Sequence, residues 1–124
     1  MKEMGVLNIA EAGLQIPFEI KRVYFITDLD FRSAARGHHA HKELQQVIFC
    51  INGSFKLVVN DGSSQQEILL DTPEQGIFLG KKLWHTMSEF SVDCIILVLA
   101  SDKFNECDYI RDFNEFKQYL KKVN

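Results

Sequence analysis

The chain has 124 residues, of which 46% are hydrophobic and 25% are charged, and its formal net charge is −3. These values are typical of one globular domain that can bury a core of its own. The negative net charge argues against a general nucleic-acid binder, because phosphate neutralisation needs clustered cations. No apolar run approaches the roughly 20 residues that span a bilayer, and the amino-terminal residues lack the apolar stretch of a secretory signal. We therefore expect a single domain over residues 1–124 without nucleic-acid or membrane partners.

The chain contains three cysteines, which show no metal-type spacing and leave one thiol over after any pairing. Cys50 and Cys94 lie inside apolar runs, where a thiol usually packs as a small hydrophobic side chain. Cysteines of this kind favour a reducing compartment, so we interpret the chain as a cytoplasmic protein.

Short β-prone runs separated by turn residues cover most of the sequence. Asn52-Gly53 and Asn60-Asp61-Gly62 predict hairpin turns, since Asn and Gly tolerate positive φ. The predicted strands are Gly5–Ile9, Glu19–Thr27, Gly37–Lys42, Gln45–Ile51, Ser54–Val59, Gln65–Leu70, Gly76–Leu79, Trp84–Phe90 and Cys94–Ala100. Many short strands at regular spacing predict an all-β fold, either a sandwich or a barrel.

The carboxy-terminal tail changes to a helical period. The apolar residues that recur at helical spacing are Phe113, Phe116, Leu120 and Val123. Asp112 is placed to cap the start of this helix, and the lysines near its end suit the helix dipole. The sequence therefore predicts one helix over about 112–123, packed on the β structure.

All four histidines fall at two places in the sequence. Three lie within Arg36-Gly37-His38-His39-Ala40-His41-Lys42, and the fourth is His85, which follows a tryptophan. In a strand, His39 and His41 point to one face and His38 to the other, so His38 is interpreted as structural. An H-x-H pair followed much later by a lone histidine is the ligand spacing of the cupin barrel. The trio His39, His41 and His85 therefore predicts either a metal site or a proton-transfer site.

Two functions of this trio are compatible with the residues. A cupin metal site normally has a Glu a few residues beyond the H-x-H pair, and Gln46 stands at that place. An amide is a weaker ligand than a carboxylate, although three neutral imidazoles can still hold zinc or iron, as in a metal-dependent dioxygenase. Without a metal, an imidazole titrates near neutrality and can remove a proton next to a ketone, provided that the enolate oxygen is stabilised.

Longer stretches make the pattern more specific. The matching segments are Lys21–Ile26, Arg36–Lys42, Leu44-x-Gln46, Trp84-His85-x-Met87, Leu97–Asp102 and Asp108–Phe113. Together they resemble the nucleotide-sugar 3,4-ketoisomerases, and the resemblance extends from Gly5 to Leu120. It implies a cupin-type jelly roll (a double-stranded β-helix) with a carboxy-terminal helix, no metal, no cofactor, and a homodimer that exchanges early β-strands.

The resemblance also implies an activity and a set of site residues. The family acts on dTDP-4-keto-6-deoxy-D-glucose and moves the ketone from C4 to C3, with the histidine of R-G-x-H, here His39, as the proton acceptor. His41 and His85 would then polarise the substrate oxygens, orient the base or shuttle a proton. The implied substrate-binding residues are Arg36, Arg111 and Arg22 at the diphosphate, with Gln46 and Tyr24. Each of these arginines could instead be a surface ion-pair partner, and for Arg22 alone the two roles are evenly balanced.

A histidine after the tryptophan resembles the galacto-producing branch of the family, so His85 favours a galacto product. Met4 departs from the pattern, because the relatives have an arginine there. The 3-keto product implies a PLP aminotransferase and an acyltransferase as pathway neighbours, which make amino sugars for bacterial lipopolysaccharide O-antigens or S-layer glycans. Two alternatives stay open: a dTDP-sugar 3,5-epimerase, which shares the R-G-x-H element, and a non-catalytic sugar-nucleotide-binding cupin.

Overall fold

The structure is a computed structural model of the single chain, and it describes residues 4–123. The strands are β1 (Arg22–Leu29), β2 (Arg36–His41), β3 (Gln46–Asn52), β4 (Phe55–Asn60), β5 (Gln65–Leu70), β6 (Gly76–Leu79), β7 (Trp84–Ser88), β8 (Cys94–Ala100) and β9 (Tyr109–Ile110). A short 3-10 helix, Glu106–Asp108, precedes β9, and the helix α1 covers Phe113–Val123. No helix within the described residues is both long and apolar enough to cross a membrane.

The strands form two antiparallel sheets with the main core between them. One sheet has the order β1-β8-β3-β6 and the other has the order β5-β4-β7-β2-β9. Phe55, Leu57 and Ile96 are wholly buried in this core. The observed architecture confirms the predicted all-β jelly roll with one carboxy-terminal helix.

Most predicted strands are observed with small changes at their ends, and Gln65–Leu70, Gly76–Leu79 and Cys94–Ala100 match at both ends. The predicted strand Gly5–Ile9 is wrong, because these residues join neither sheet of the single chain. Their apolar side chains are exposed, and the segment has no neighbouring strand to pair with in the single chain.

Two further strands differ at their ends from the prediction. The strand predicted over Glu19–Thr27 begins later, at Arg22, and runs on to Leu29. The strand predicted to end at Phe90 stops at Ser88, and Phe90 turns into the core, where it is 2% exposed. Backbone propensity alone does not mark where pairing with the neighbouring strand stops.

Helix α1 covers the outer face of the sheet that carries the histidines. Asp112 Oδ1 accepts a hydrogen bond from the backbone N–H of Glu115 at 3.0 Å, so Asp112 caps the helix as predicted and the helix itself begins at Phe113. Phe116 is fully buried and packs with Ala40 of β2 and Ile110 of β9. The helix thereby fixes the position of the two strands that line one side of the site.

The outer face of the other sheet is apolar and only partly covered. Val47 and Leu99 are buried there beneath Ile16 from the amino-terminal segment. Val23 and Phe25 of β1 lie on the same face but are 54% and 67% exposed. β1 is also the edge strand of its sheet.

Candidate active site

A β-bulge in β2 decides which of its side chains face the barrel interior. Arg36 and Gly37 pair with consecutive residues of β7, and His39 pairs with the next one, His85, so His38 has no opposite residue. Gly37 and His38 both have positive φ, at 92° and 57°, and His38 is exposed. In regular alternation Arg36 and His39 would point to opposite faces, whereas the extra residue puts them on the same face.

The structure brings the three predicted histidines into one compact cluster. The ring centroid of His39 lies 4.8 Å from that of His41 and 4.7 Å from that of His85, and the latter two are 6.0 Å apart. His41 and His85 are each 4% exposed, whereas His39 is partly open to solvent. Within residues 4–123, no group of three His, Cys, Asp or Glu is arranged to hold a metal ion.

Burial keeps the imidazoles of this cluster uncharged. Loss of solvation, together with repulsion from neighbouring groups, lowers the pKa of His41 and of His85 from the ordinary value of 6.5 to about 3. Burial also lowers the pKa of His39, and a hydrogen bond with the Gly37 carbonyl opposes that shift. A neutral imidazole offers one donor and one acceptor. The cluster therefore offers one accessible base beside two neutral hydrogen-bonding groups.

Tyr109 completes the cluster and was not among the predicted site residues. Its ring centroid lies 4.9 Å from that of His39 and 4.4 Å from that of His41, with which it pairs in the β2–β9 ladder. A strand of two residues carries no periodic signal, so its pattern offers no structural reason to select Tyr109. The signal that was present is the matching segment Asp108–Phe113, which contains Tyr109.

Asp108 ties β9 to the loop that follows His41. Its carboxylate accepts hydrogen bonds from the backbone N–H groups of Glu43 and Leu44, at 2.8 Å and 3.1 Å. Its carbonyl accepts the backbone N–H of Lys42 at 3.0 Å. These three bonds hold the end of β2 next to the residue that precedes Tyr109, and the sequence reasoning missed this role as well.

Tyr24 and Gln46 lie on the opposite sheet and form a buried polar pair. Nε2 of Gln46 donates a hydrogen bond to the Tyr24 hydroxyl oxygen at 2.8 Å. The two residues belong to β1 and β3, on either side of β8. Because the phenol oxygen accepts this bond, the Tyr24 hydroxyl keeps its own proton to donate. Burial raises the pKa of Tyr24, which keeps that proton in place.

A cavity of about 250 Å³ opens beside the cluster, and Arg22, His41, Tyr109 and Lys103 are among the residues that line it. The guanidinium of Arg22 lies 5.2 Å from the centroid of the Tyr24 ring. Arg22 Nε and His41 Nε2 are buried and have no hydrogen-bond partner in the part of the chain that the structure describes. Buried polar nitrogens are nearly always paired, so the cavity suits a polar ligand that carries acceptor oxygens.

The remaining predicted binding residues lie nearer the surface. Arg36 is exposed on β2. Arg111 donates from Nε and Nη2 to the carboxylate of Glu106 at 2.9 Å and 2.8 Å, and its guanidinium lies 4.3 Å from the centroid of the Tyr109 ring. Met4 is 88% exposed. In the single chain, Arg111 is therefore at the edge of the cluster and already paired, and Met4 is on the surface.

Relatives of this chain cover nearly its whole length. It is 48% identical over 120 residues to TDP-4-oxo-6-deoxy-alpha-D-glucose-3,4-oxoisomerase of Aneurinibacillus thermoaerophilus. The matched region covers 97% of this chain and 86% of that relative. The crystal structure of a 3,4-ketoisomerase from Helicobacter canadensis matches with a TM-score of 0.88 at 46% identity, over 91% of this chain and 84% of that one. A mutant of the 3,4-ketoisomerase QdtA from Thermoanaerobacterium thermosaccharolyticum, in complex with TDP-4-keto-6-deoxyglucose, matches with a TM-score of 0.93 at 38% identity, over 98% and 88%.

These similarities confirm the resemblance to the sugar 3,4-ketoisomerases and the cupin-type jelly roll. The QdtA mutant in that complex carries an asparagine in place of a histidine. A family model described as FdtA, WxcM-like, C-terminal matches residues 1–121. Since the match spans almost all 124 residues and the relatives are similar over the same length, the chain belongs to the FdtA family.

Proposed function

We propose that the chain is a single-domain isomerase that converts dTDP-4-keto-6-deoxy-D-glucose into the corresponding 3-keto sugar nucleotide. The observation that carries the proposal is the histidine cluster, in which the partly open His39 contacts two buried, neutral imidazoles. The relatives support it, because one is named for this oxoisomerase reaction and another is bound to TDP-4-keto-6-deoxyglucose.

The reaction moves one proton between two carbons and one proton between two oxygens. His39 takes the proton from C3, which the C4 ketone makes acidic, and the electrons of the C3–H bond form the double bond of an enediol. The imidazolium then returns a proton to C4, while the hydroxyl proton on O3 passes to O4. One C–H bond is broken and one is formed with no net oxidation, so the reaction consumes no nicotinamide.

The neighbours of His39 stabilise the charge that develops on oxygen. His41 and His85 have a pKa of about 3, so at neutral pH they act as hydrogen-bonding groups that polarise or relay and do not act as cations. The Tyr24 hydroxyl, held by Gln46, is a further donor for the substrate oxygens. Donors fixed in place before the reaction stabilise an enolate more than mobile water does.

The arginines bind the diphosphate in this proposal. A guanidinium is permanently charged and can hold two phosphate oxygens at once. Arg22 has an unpaired Nε beside the cavity, and Arg36 shares the inward face of β2 with His39. Arg111 would contribute only by exchanging its bonds to Glu106 for bonds to phosphate.

We propose a galacto configuration for the product, because a histidine after the tryptophan, here His85, resembles the galacto-producing branch of the family. His85 stands directly across the ladder from His39, where it can contact the sugar. A 3,5-epimerase is the second candidate, since it needs the same keto-sugar and the same histidine base. The two reactions differ in where the ketone ends and in whether C5 exchanges its proton.

The test is proton NMR of dTDP-4-keto-6-deoxyglucose incubated with EDTA-treated enzyme in D₂O, beside the His39→Asn variant. We expect a 3-keto product that carries deuterium at C4, and a rate at least about 100-fold lower for His39→Asn, the size expected for loss of a general base. His38→Asn is the matched control, because it is the same substitution on the exposed neighbour. A parallel reaction in H₂O gives the coupling between H4 and H5, which is small for galacto and large for gluco.

Other outcomes each point to a different function. Deuterium at C3 and C5 with the ketone still at C4 would indicate an epimerase. An unchanged sugar that nevertheless binds would indicate a non-catalytic binding protein. Activity that EDTA removes and a divalent metal restores would indicate the metal-dependent alternative.

We also propose that the enzyme is a homodimer that exchanges early strands. Three features support a second copy as the missing cover: β1 is an edge strand, Val23 and Phe25 are exposed on an apolar face, and the β-prone segment Gly5–Ile9 is unpaired. An added strand would supply hydrogen bonds to the edge and apolar cover to the face.

A 3-ketone is the carbonyl that a PLP-dependent aminotransferase converts into a 3-amine, and we place such an enzyme after this one. An acyltransferase would then give a 3-acylamino-3,6-dideoxyhexose for bacterial surface glycans. We propose a cytoplasmic location, supported by Cys50 and Cys94, which are free thiols whose sulfur atoms are 3.8 Å apart.

A further inference from the structure

His39 is held by a main-chain group. Its Nδ1 lies 3.0 Å from the carbonyl oxygen of Gly37, and a carbonyl oxygen can only accept a hydrogen bond, so Nδ1 must carry the proton. We propose that Gly37 is the positioning residue of the base, because its carbonyl selects the Nδ1–H tautomer of His39 and leaves the Nε2 lone pair for the substrate proton. This inference rests on the proposed function, in which His39 is the base.

The bulge requires a glycine at this position. Gly37 has a φ of +92°, in the left-handed region that side chains rarely adopt. A Cβ there would lie 2.8 Å from the backbone oxygen of His85 and 3.3 Å from Cα of Thr86. Both atoms belong to the backbone of the paired strand β7, so neither can shift without disturbing the strand pairing. The backbone turn that aims the carbonyl at Nδ1 is therefore available to glycine alone.

No other group in the described residues can take over this role. The groups packed against the His39 ring are His41 on its own strand, His85 on β7 and Tyr109 on β9. The ionisable groups that influence its pKa are Arg111, Glu106 and the neighbouring His38, and the Glu106 carboxylate is already bound to Arg111.

A carbonyl orients the ring without adding a formal charge. The bond to the Gly37 carbonyl favours the imidazolium, but burial outweighs it and the pKa of His39 is lowered. A carboxylate at Nδ1 would favour the imidazolium more strongly, because it carries a full negative charge. When Nε2 takes the proton from C3, the bond from Nδ1 to Gly37 persists and becomes charge-assisted. The same contact thus holds the ring in place through both proton transfers.

The direct test is nitrogen NMR of protein labelled with ¹⁵N-histidine, with the His39 signals assigned by their absence in His39→Asn. We expect a protonated Nδ1 and an unprotonated Nε2, the opposite of the tautomer that predominates in free histidine. A protonated Nε2 would overturn the inference whatever the activity. Full activity of His39→Asn would instead overturn the proposed function and leave the tautomer result standing.

Gly37→Ala tests the same point through the rate. We expect kcat to fall at least about 100-fold, the size expected for a misplaced general base, with a smaller change in KM and with mixed His39 tautomers. Gly62→Ala is the matched control, because Gly62 has a φ of +95° and its added Cβ would meet the flexible end of Leu120. Unchanged kcat and an unchanged tautomer in Gly37→Ala would overturn the inference. If that variant does not fold, the tautomer in the unmodified protein decides.

Discussion

Three imidazoles within 6.0 Å of one another are stable together only while they are uncharged. A proton on one would place a poorly solvated cation against two neighbours. Gln46 at the place of the usual cupin Glu keeps a carboxylate away from this group, and it uses its amide to hold Tyr24. His39 alone is open enough to change its charge during the proposed reaction.

We expect the protein to lose stability as the pH falls from about 6.5 towards 3. His41 and His85 have a folded pKa of about 3 against an ordinary value of 6.5. Between these pH values the unfolded chain binds more protons than the folded one. Each of the two histidines therefore lowers the free energy of unfolding by about 1.4 kcal/mol for each pH unit of acidification. Urea unfolding across this range measures the slope.

Two variants check which residues cause this pH dependence. His41→Gln should reduce the slope of the unfolding free energy against pH by the equivalent of about one proton, because it removes one of the two histidines with a lowered pKa. His38→Gln, on the exposed side of β2, should leave it unchanged. A free energy of unfolding that is the same near pH 7 and near pH 5 would contradict the prediction.

At the scale of residues, the sequence was sufficient to bring the histidines together and insufficient to place their neighbours. The H-x-H spacing puts His39 and His41 on one face whatever the register. The bulge at His38, which turns Arg36 to the same face, depends on two successive positive φ values that alternation of side chains does not show. Tyr109 was missed because its contacts with the cluster arise from tertiary pairing.

At the scale of elements, β9 has two residues and yet supplies one wall of the site. Hydrogen bonds donated to Asp108 and burial of Phe116 hold it in place. The sequence predicted the helix because its apolar period is long and its cap is local. Gly5–Ile9 has a β-prone composition but no strand to pair with in the single chain, and composition cannot show whether a partner strand exists.

We expect Asp108→Ala to lower both stability and activity. The change leaves the backbone N–H of the buried Leu44 without its acceptor, which destabilises by about 1–3 kcal/mol; it also removes the exposed bond from Glu43. It also releases β9, so Tyr109 should move relative to the histidines and kcat should fall. Urea unfolding and steady-state kinetics measure the two effects.

Asp61→Ala is the matched control for this change. Asp61 also accepts two backbone N–H groups, from Ser63 and Ser64 at 2.8 Å each, but it lies in the turn between β4 and β5. We expect a smaller loss of stability, because both bonds are exposed to solvent, with an unchanged kcat. Equal kcat values for the two variants would show that the Asp108 clamp has no part in the reaction.

At the scale of the whole molecule, the two sheets are used differently. The five-stranded sheet carries the histidines on its inner face and helix α1 on its outer face. The four-stranded sheet supplies Tyr24 and Gln46 inwards and presents an apolar surface outwards. The five-stranded sheet thus has helix α1 on its outer face, whereas the four-stranded sheet has an exposed apolar face beside its edge strand β1 that the proposed second copy would cover.

We expect Phe25→Glu to weaken the proposed dimer. Phe25 is 67% exposed in the single chain, and losing its burial in an interface is worth roughly 1.5–3 kcal/mol, so the dissociation constant should rise at least about tenfold. Light scattering after size-exclusion chromatography over a range of concentrations measures the change. Leu69→Glu is the control, because Leu69 is 62% exposed on β5. A monomeric unmodified protein, or a dimer that Phe25→Glu leaves intact, would contradict the proposal.

The pairing of His39 with His85 across the ladder has a consequence for how such enzymes diversify. The proposed proton acceptor His39 and the residue facing it come from different strands, and the bulge beside His39 belongs entirely to β2. A substitution at position 85 would therefore change the wall that faces His39 and one of its hydrogen-bonding neighbours, while the bulge that orients His39 stays in place. If the configuration at C4 depends on position 85, as proposed, it can change separately from the backbone that orients the base.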